Sequence, residues 1–305
     1  MPPIPHSPLA ERRAADFGEL AVLVVVWGAS FALTKIAVGS VPPTWVVALR
    51  ITIAAVIIVS LLYARGGRLS TDPRQWLWFL WLGLVGSILP FLLISWGSQF
   101  IPSAIAGILM AAVPFAVLVL AHFALPDEPM TFGRVLGFVL GFIGVVVLID
   151  PTALLELGGN GMETIGQLAV LCATFCYAIN SVSARLAPAM DSLTKSAGVL
   201  AAAAPITLAI AFVDAPTALV SADPAAIGAC AALGLFPTAL ATIVLFRLLQ
   251  RAGAGFVAMS NYLVPAFAVL LGAIALGEHL HWLDYAGFAL LLTGLAFSEW
   301  ARKRF

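Results

Sequence analysis

Charge is the scarcest feature of this chain. Of its 305 residues, 10% are Asp, Glu, Lys or Arg, while 62% are hydrophobic. A soluble domain carries about 25% charged and about 45–50% apolar residues. With a mean hydropathy of +1.07, no soluble globule can hide this much apolar side chain, and the bilayer must act as solvent. Cysteine is also rare. Cys172 and Cys176 lie four apart in one apolar run and Cys230 begins another, which excludes a disulfide framework and offers no metal-ligand spacing. No Gly-rich phosphate loop, His/Asp metal cluster or Ser–His arrangement occurs in the apolar runs, so no cofactor or metal is expected. The N-terminus lacks an apolar h-region after a basic start, so no cleaved signal peptide is expected and the first hydrophobic run reads as a retained span.

What is abundant is apolar runs of membrane-crossing length. A helix needs about 20 mostly apolar residues to cross the hydrocarbon core. Ten such runs occur, at 18–38, 44–64, 75–98, 102–125, 131–150, 163–185, 193–213, 225–249, 254–276 and 282–301. Turn chemistry or charge separates them. Thirteen of the 15 Lys and Arg then fall on one side: Arg12, Arg13, Arg65, Arg68, Arg74, Arg134, Arg185, Lys195, Arg247, Arg251, Arg302, Lys303 and Arg304. The positive-inside rule places both termini in the cytoplasm. The opposite loops carry Asp150, Glu156, Glu163, Asp214, Asp223, Glu278 and Asp284, to which orientation is nearly indifferent.

The chain also repeats itself. "AAVPFAVLVLAHFALPDEPM" (111–130) and "YLVPAFAVLLGAIALGEHLH" (262–281) share Val-Pro, an AVL, an apolar run and a glutamate. Counted from Glu128 and Glu278, Phe132 and Trp282 lie four on, Gly137 and Gly287 nine on, and Gly144 and Gly294 sixteen on. Upstream, "LGLVG" at 82–86 aligns with "LGLFP" at 233–237, and "LAVL" recurs at 20–23 and 168–171. The reading is two five-helix units, 18–155 and 156–301, between a tail at 1–17 and a basic tail at 302–305. Five is odd, so the second unit enters the membrane from the other side. Inverted repeats of this kind build secondary transporters with a substrate site near the midplane.

Four motifs carry a family resemblance: "VVVWGASFALTK", Arg50 in "PPTWVVALRITIAA", the block "SAIAGILMAAVPFAVLVLAHFALPDE" and its partner "AGFVAMSNYLVPAFAVLLGAIALGEHL". They resemble the EamA family of the drug/metabolite transporter superfamily, over residues from about 18 to about 300. The resemblance implies an all-α membrane protein of the bacterial inner (plasma) membrane, with ten helices as two inverted five-helix repeats and both termini inside. It implies a central cavity lined by helices 1–4 and 6–9, with helices 5 and 10 as buttresses. It also implies export of small metabolites, most similar to amino-acid exporters of the YddG type. Asp127 stands where the family has a small residue before the glutamate.

Candidate cavity residues follow from helical spacing. Trp27, Ser30 and Thr34 share one face of the first span, and Thr174, Tyr177 and Ser181, with Asn180 beside them, share one of the sixth. They either line a cavity or serve as interhelical packing glue. Ser260, Asn261 and Tyr262 precede Pro265, and Met110 holds the equivalent place before Pro114. Each proline frees a carbonyl four residues back, Asn261 and Met110, for side chains, water or substrate, or else marks a hinge. Pro90 and Pro237 pose the same choice. Ser95, Trp96 and Gln99 end the third span and either bound the cavity or, for Trp96, anchor at the interface. Lys35 and Arg50 are the charges within spans. They clamp a substrate anion or snorkel to headgroups. No Asp or Glu lies mid-span, so no carboxylate relay for proton coupling is visible. Glu128 and Glu278 read as loop–helix anchors, and His122 as an interfacial histidine. The glycines of the fifth and tenth spans read as close packing.

The expected activity is secondary export of small amphipathic solutes, neutral or aromatic amino acids first, by alternating access. Efflux of lipophilic cations would want a carboxylate in the cavity. Sugar-nucleotide or phosphate exchange would want several basic residues. A membrane-embedded enzyme is disfavoured for want of catalytic groups. The partners expected are a small-molecule substrate and the lipid bilayer, not nucleic acid, with the protein a monomer or homodimer.

Overall fold

The computed structural model describes residues 14–124, 131–149 and 161–304. Among them there is no strand. The chain runs through helices α1 (Ala14–Ala37), α2 (Pro43–Ala64), α3 (Pro73–Gly97), α4 (Ser103–Ala124), α5 (Phe132–Ile149), α6 (Gly161–Leu186), α7 (Ser192–Asp214), α8 (Pro224–Ala252), α9 (Gly255–Leu276) and α10 (Trp282–Arg304). Eight of these are long and apolar enough to cross a bilayer; α5 and α10 carry shorter apolar stretches, Val135–Leu148 and Trp282–Ser298. The outward surface is apolar, as at Ile274, which is 75% exposed on α9. Such a side chain is stable in lipid, not in water.

Local chemistry sets the helix starts. Asp72 accepts a hydrogen bond from Arg74 N and is followed by Pro73, and Asp223 accepts from Ala225 N and is followed by Pro224. An aspartate N-cap satisfies an orphan donor, and proline at the first helical position has no donor to waste. Asp191 caps α7 through Thr194 N. Eleven residues after each Asp-Pro cap residue, α3 and α8 reach Gly83 and Gly234, and here both leave α geometry. Residues Leu84–Ile88 of α3 and Gly234–Leu240 of α8 are wound as π-helix. Pro90 sits just past the first segment and Pro237 within the second. Proline removes a ladder donor, and widening the coil accommodates the gap.

Met110–Ala112 of α4 tighten instead into a 3₁₀ turn. Val113 N donates to the carbonyl of Met110 there. The carbonyl that Pro114 frees is therefore satisfied locally rather than left for a side chain, water or substrate. Pro265 follows an irregular turn in which Asn261 N and Tyr262 N donate to Ala258 O and Met259 O.

Packing runs in pairs. The principal contacts are α2 with α7, α4 with α9, α5 with α10, α3 with α6, α1 with α8, α4 with α6, α1 with α9, α2 with α8 and α3 with α7. The α5–α10 contact is backbone on backbone. A Cβ added to Gly144 would lie 2.7 Å from Gly287 O, and one added to Gly137 would lie 2.7 Å from Gly294 O. Small residues permit this approach.

Polar contacts tie each end of the bundle. At one end Lys35 Nζ donates to Ser98 O and Ile101 O, both at 2.9 Å. There too Glu278 accepts from Ser103 N, Ser103 Oγ and Ala104 N. Thr44 donates to Asp214, and Trp45 Nε1 to Ala215 O. At the other end Arg251 pairs with Asp16 and Glu19, each at 2.9 Å, and Trp81 Nε1 donates to Ser183 Oγ. These are called below the Lys35 face and the Arg251 face.

Candidate functional site

A cavity of about 450 Å³ lies within the bundle, inside the range of about 300–1,000 Å³ typical of small-molecule sites. Its wall draws on α1 (Trp27, Ser30, Phe31, Thr34), α2 (Arg50), α3 (Phe91, Ile94), α4 (Met110, Val113), α6 (Tyr177, Asn180, Ser181), α8 (Pro237, Leu245) and α9 (Ser260, Asn261, Val264, Pro265). Both halves of the chain contribute.

Each side chain arrives by a local cause. Trp27, Ser30, Phe31 and Thr34 form one stripe of α1, as helical spacing requires. The hydroxyls on the wall bond back to their own helices rather than across to neighbours. Ser30 Oγ donates to Trp27 O at 2.6 Å, Thr34 Oγ1 to Ser30 O at 2.7 Å and Ser181 Oγ to Tyr177 O at 2.9 Å. Their donors are spent, so they are not packing glue between helices, and their lone pairs remain for a ligand. Tyr177, Asn180 and Asn261 have no side-chain hydrogen bond to other described residues, and their polar groups stay open to the cavity. Asn180 approaches α3 closely because position 86 is glycine: a Cβ there would lie 2.6 Å from Asn180 Oδ1.

Arg50 turns inward. Its side chain is 9% exposed, its Nε donates to Thr238 Oγ1 at 2.8 Å, and its Cζ lies 3.7 Å from the centre of the Phe91 ring. Snorkelling toward headgroups is therefore excluded for this residue. Thr238 in turn donates to Leu233 O at 2.8 Å, a bond across five residues that the π segment makes possible. Among the described residues lining the cavity, Arg50 carries the one formal charge, and no carboxylate faces it.

Other candidates lie elsewhere. Lys35 is half-buried and spends its ammonium on the carbonyls of Ser98 and Ile101. It caps the end of α3 rather than joining Arg50. Ser95 is buried off the wall, the Trp96 ring packs on Phe100 with centroids 5.0 Å apart, and exposed Gln99 donates to Trp96 O. The cavity face of α3 is Phe91 and Ile94. At about 100° per residue, Trp96 is turned away from it, whereas Ser95, four residues after Phe91, sits beside that face and is buried at 3% exposure rather than open to the cavity. Tyr262, one residue beyond Asn261, packs into the apolar core against α4 and α6. Thr174 lines a separate apolar cleft of about 160 Å³ with Phe115, Phe138, Phe142 and Phe175. Pro237 and Pro265 line the main cavity, whereas Pro90 and Pro114 do not. His122 is exposed near the Arg251-face end of α4, its ring against Phe123. Glu128 and Asp127 lie outside the described residues.

Sequence reasoning missed Phe31, Phe91, Ile94, Val113, Leu245 and Val264. Phe31 was available, being four residues from Trp27 on the same face. Phe91 and Ile94 follow the π segment, where counting by 3.6 loses the face.

Comparison with known proteins agrees with this architecture. An uncharacterised transporter of Bacillus subtilis strain 168, YoaV, is 23% identical over 283 residues, covering 92% of this chain and 96% of that protein. A probable amino-acid metabolite efflux pump of Escherichia coli K12 is 26% identical over 290 residues, covering 91% and 93%. An uncharacterised inner membrane transporter of the same strain, YedA, is 25% identical, covering 90% and 88%. A solved crystal structure with 22% identity superposes with a TM-score of 0.66 over 96% of this chain and all of that one, and shares the fold. The EamA-like transporter family matches twice, at residues 17–150 and 164–300. With both halves matched, this membrane-spanning chain belongs to the EamA-like transporter family.

Proposed function

We propose that the protein is a secondary exporter of small amphipathic metabolites, neutral and aromatic amino acids first, working by alternating access around the cavity. The observation that carries this is the cavity wall itself: aromatic faces, a few open amides and one cation, drawn from both halves. Aromatic surface with a few placed polar groups suits a small amphipathic solute. The name of the related efflux pump points the same way.

Ten crossings in two inverted five-helix units are the arrangement under this proposal. The packing supports it. Exchanging each helix for the one five places on converts the α3–α6 contact into α8–α1, α1–α9 into α6–α4, and α2–α8 into α7–α3. The contacts α2–α7, α4–α9 and α5–α10 map onto themselves. The doubled family match, the paired Asp-Pro caps and the paired π segments follow the same exchange.

Among the contacts that the exchange does not reproduce, the most extensive bears on mechanism. α1 packs closely on the Lys35-face half of α4. Its counterpart, α6 on α9, is not closely packed; both helices line the cavity, through Tyr177, Asn180, Ser181, Ser260 and Asn261. The bundle is thus drawn together toward the Lys35 face and parted toward the Arg251 face. By the positive-inside rule the Arg251 face is cytoplasmic, so this is the loading state of an exporter. Exchanging the two contacts would open the other face.

With no carboxylate on the described wall, transport runs as facilitated diffusion or exchange. The test is flux in liposomes holding the purified protein, with radiolabelled phenylalanine and leucine, a lipophilic cation and a sugar phosphate, with and without a pH gradient. Saturable amino-acid flux indifferent to the gradient supports the reading. Movement of the cation or sugar phosphate without the amino acids overturns it.

A further inference from the structure

We infer that Arg50 is the recognition group for a single carboxylate on the substrate, so the cavity selects amino acids and other monocarboxylates over their amides, over amines and over phosphate dianions. The inference rests on the transport reading above and names what the same cavity distinguishes.

The geometry of Arg50 is that of a held but unsatisfied cation. A guanidinium has five N–H donors and stays protonated in proteins. Its Nε is tethered to Thr238 Oγ1 and its Cζ lies over the Phe91 ring. Its two terminal nitrogens have no acceptor among the described residues, and the group lines the cavity. The tether, with Thr238 anchored to Leu233 O, orients the group before any ligand arrives. The free edge has the fork geometry that matches a carboxylate bidentately.

Charge counting then selects the ligand. The described wall carries one positive charge and no negative one. A single carboxylate neutralises it. A dianion leaves a negative charge with no second cation, because Lys35 is engaged at the end of α3. An amine adds a second positive charge to a site already holding one. Unpaired charge is costly in such surroundings. An α-ammonium on the same substrate has acceptors in Asn180 and Asn261, whose side-chain oxygens no described residue occupies. A desamino acid should therefore bind through the same group.

The experiment compares L-phenylalanine, 3-phenylpropionate, phenylalaninamide and phenethylamine, first as ligands raising the melting temperature of the purified protein, then as competitors of phenylalanine flux. The two carboxylates should stabilise and compete; the amide and the amine should do neither. Arg50→Gln should weaken binding of both carboxylates by about tenfold to a hundredfold, the range for losing a charged hydrogen-bond partner, and Arg50→Lys should restore part of it. If Arg50→Gln does not fold, the wild-type comparison of acid with amide still decides. An amide that binds as well as the acid overturns the inference while leaving the transport reading intact. Binding of carboxylates without any flux would overturn the transport reading and keep the inference. Absence of a thermal shift with all four overturns the inference.

Discussion

Glu278 closes the Lys35 face by capping a helix that belongs to the other half of the chain, and removing its charge has a calculable effect. Its Oε1 accepts from Ser103 N at 2.7 Å, and its Oε2 from Ser103 Oγ and Ala104 N, both at 3.0 Å. These backbone donors are first-turn N–H groups of α4, which have no partner within the helix. Glu278 is placed there by Gly277, whose φ of +64° ends α9 in the left-handed region. In Glu278→Gln the amide nitrogen must face a donor whichever way it is turned, so at least one backbone N–H is orphaned. Losing a hydrogen bond to a charged group costs about 1.5–3 kcal/mol, and losing a negative charge at a helix N-terminus about 0.3–1 kcal/mol more. The sum is about 2–4 kcal/mol. At roughly 2–4 °C per kcal/mol for large domains, the melting temperature in detergent falls by at least about 4 °C. Ser103→Ala removes one of the three bonds. On that background Glu278→Gln should cost less, and the shortfall is the coupling between the two side chains. A melting temperature unchanged in Glu278→Gln, or strictly additive losses, would refute the capping argument.

Further outcomes follow from the same structure. Trp27→Ala leaves the fold intact but lowers transport at matched expression, because the indole forms cavity wall; unchanged transport removes Trp27 from the site. Gly144→Val forces a Cβ to within 2.7 Å of Gly287 O and should cost at least the roughly 1–3 kcal/mol of an overpacked contact, seen as loss of the monodisperse protein on size exclusion. Gly18→Ala, where nothing lies within 4 Å of the added carbon, should be neutral or stabilising by about 0.5–1 kcal/mol, seen as an equal or higher melting temperature. Lys35→Met strips the carbonyls of Ser98 and Ile101 of their donor and should destabilise by about 1–3 kcal/mol, measured in the same melt.

Much of this fold was legible because a bilayer enforces simple rules. The apolar runs match the helices to within a few residues, and the glycines of the fifth and tenth spans read as close packing, with Gly137 and Gly144 found on the α5 face that meets α10. The shared spacing from Asp72 to Gly83 and from Asp223 to Gly234 was also there to be read, and it marks the two π-wound helices. What sequence spacing could not supply was direction after an irregular turn. Ser95, Trp96 and Gln99 stand out in the sequence as the polar and aromatic residues that end the third span, whereas the wall there is the apolar pair Phe91 and Ile94, just past a π segment whose extra residue per turn shifts any face counted through it. The heading of a long side chain was equally hidden. Arg50 and Lys35 lie at similar depths, yet one turns to the cavity because Thr238 and Phe91 receive it, and the other turns to the free carbonyls at the end of α3.

The central claim is that solute passes through this cavity, and a single blocked position tests it most directly. In a background with Cys172, Cys176 and Cys230 replaced, Ser181→Cys places one thiol on the cavity wall, and Val220→Cys places one at a site 90% exposed away from it. A bulky thiol reagent should abolish phenylalanine flux in the first and spare it in the second, and excess phenylalanine should slow labelling only in the first. Undiminished flux through protein fully labelled at position 181 would contradict the account.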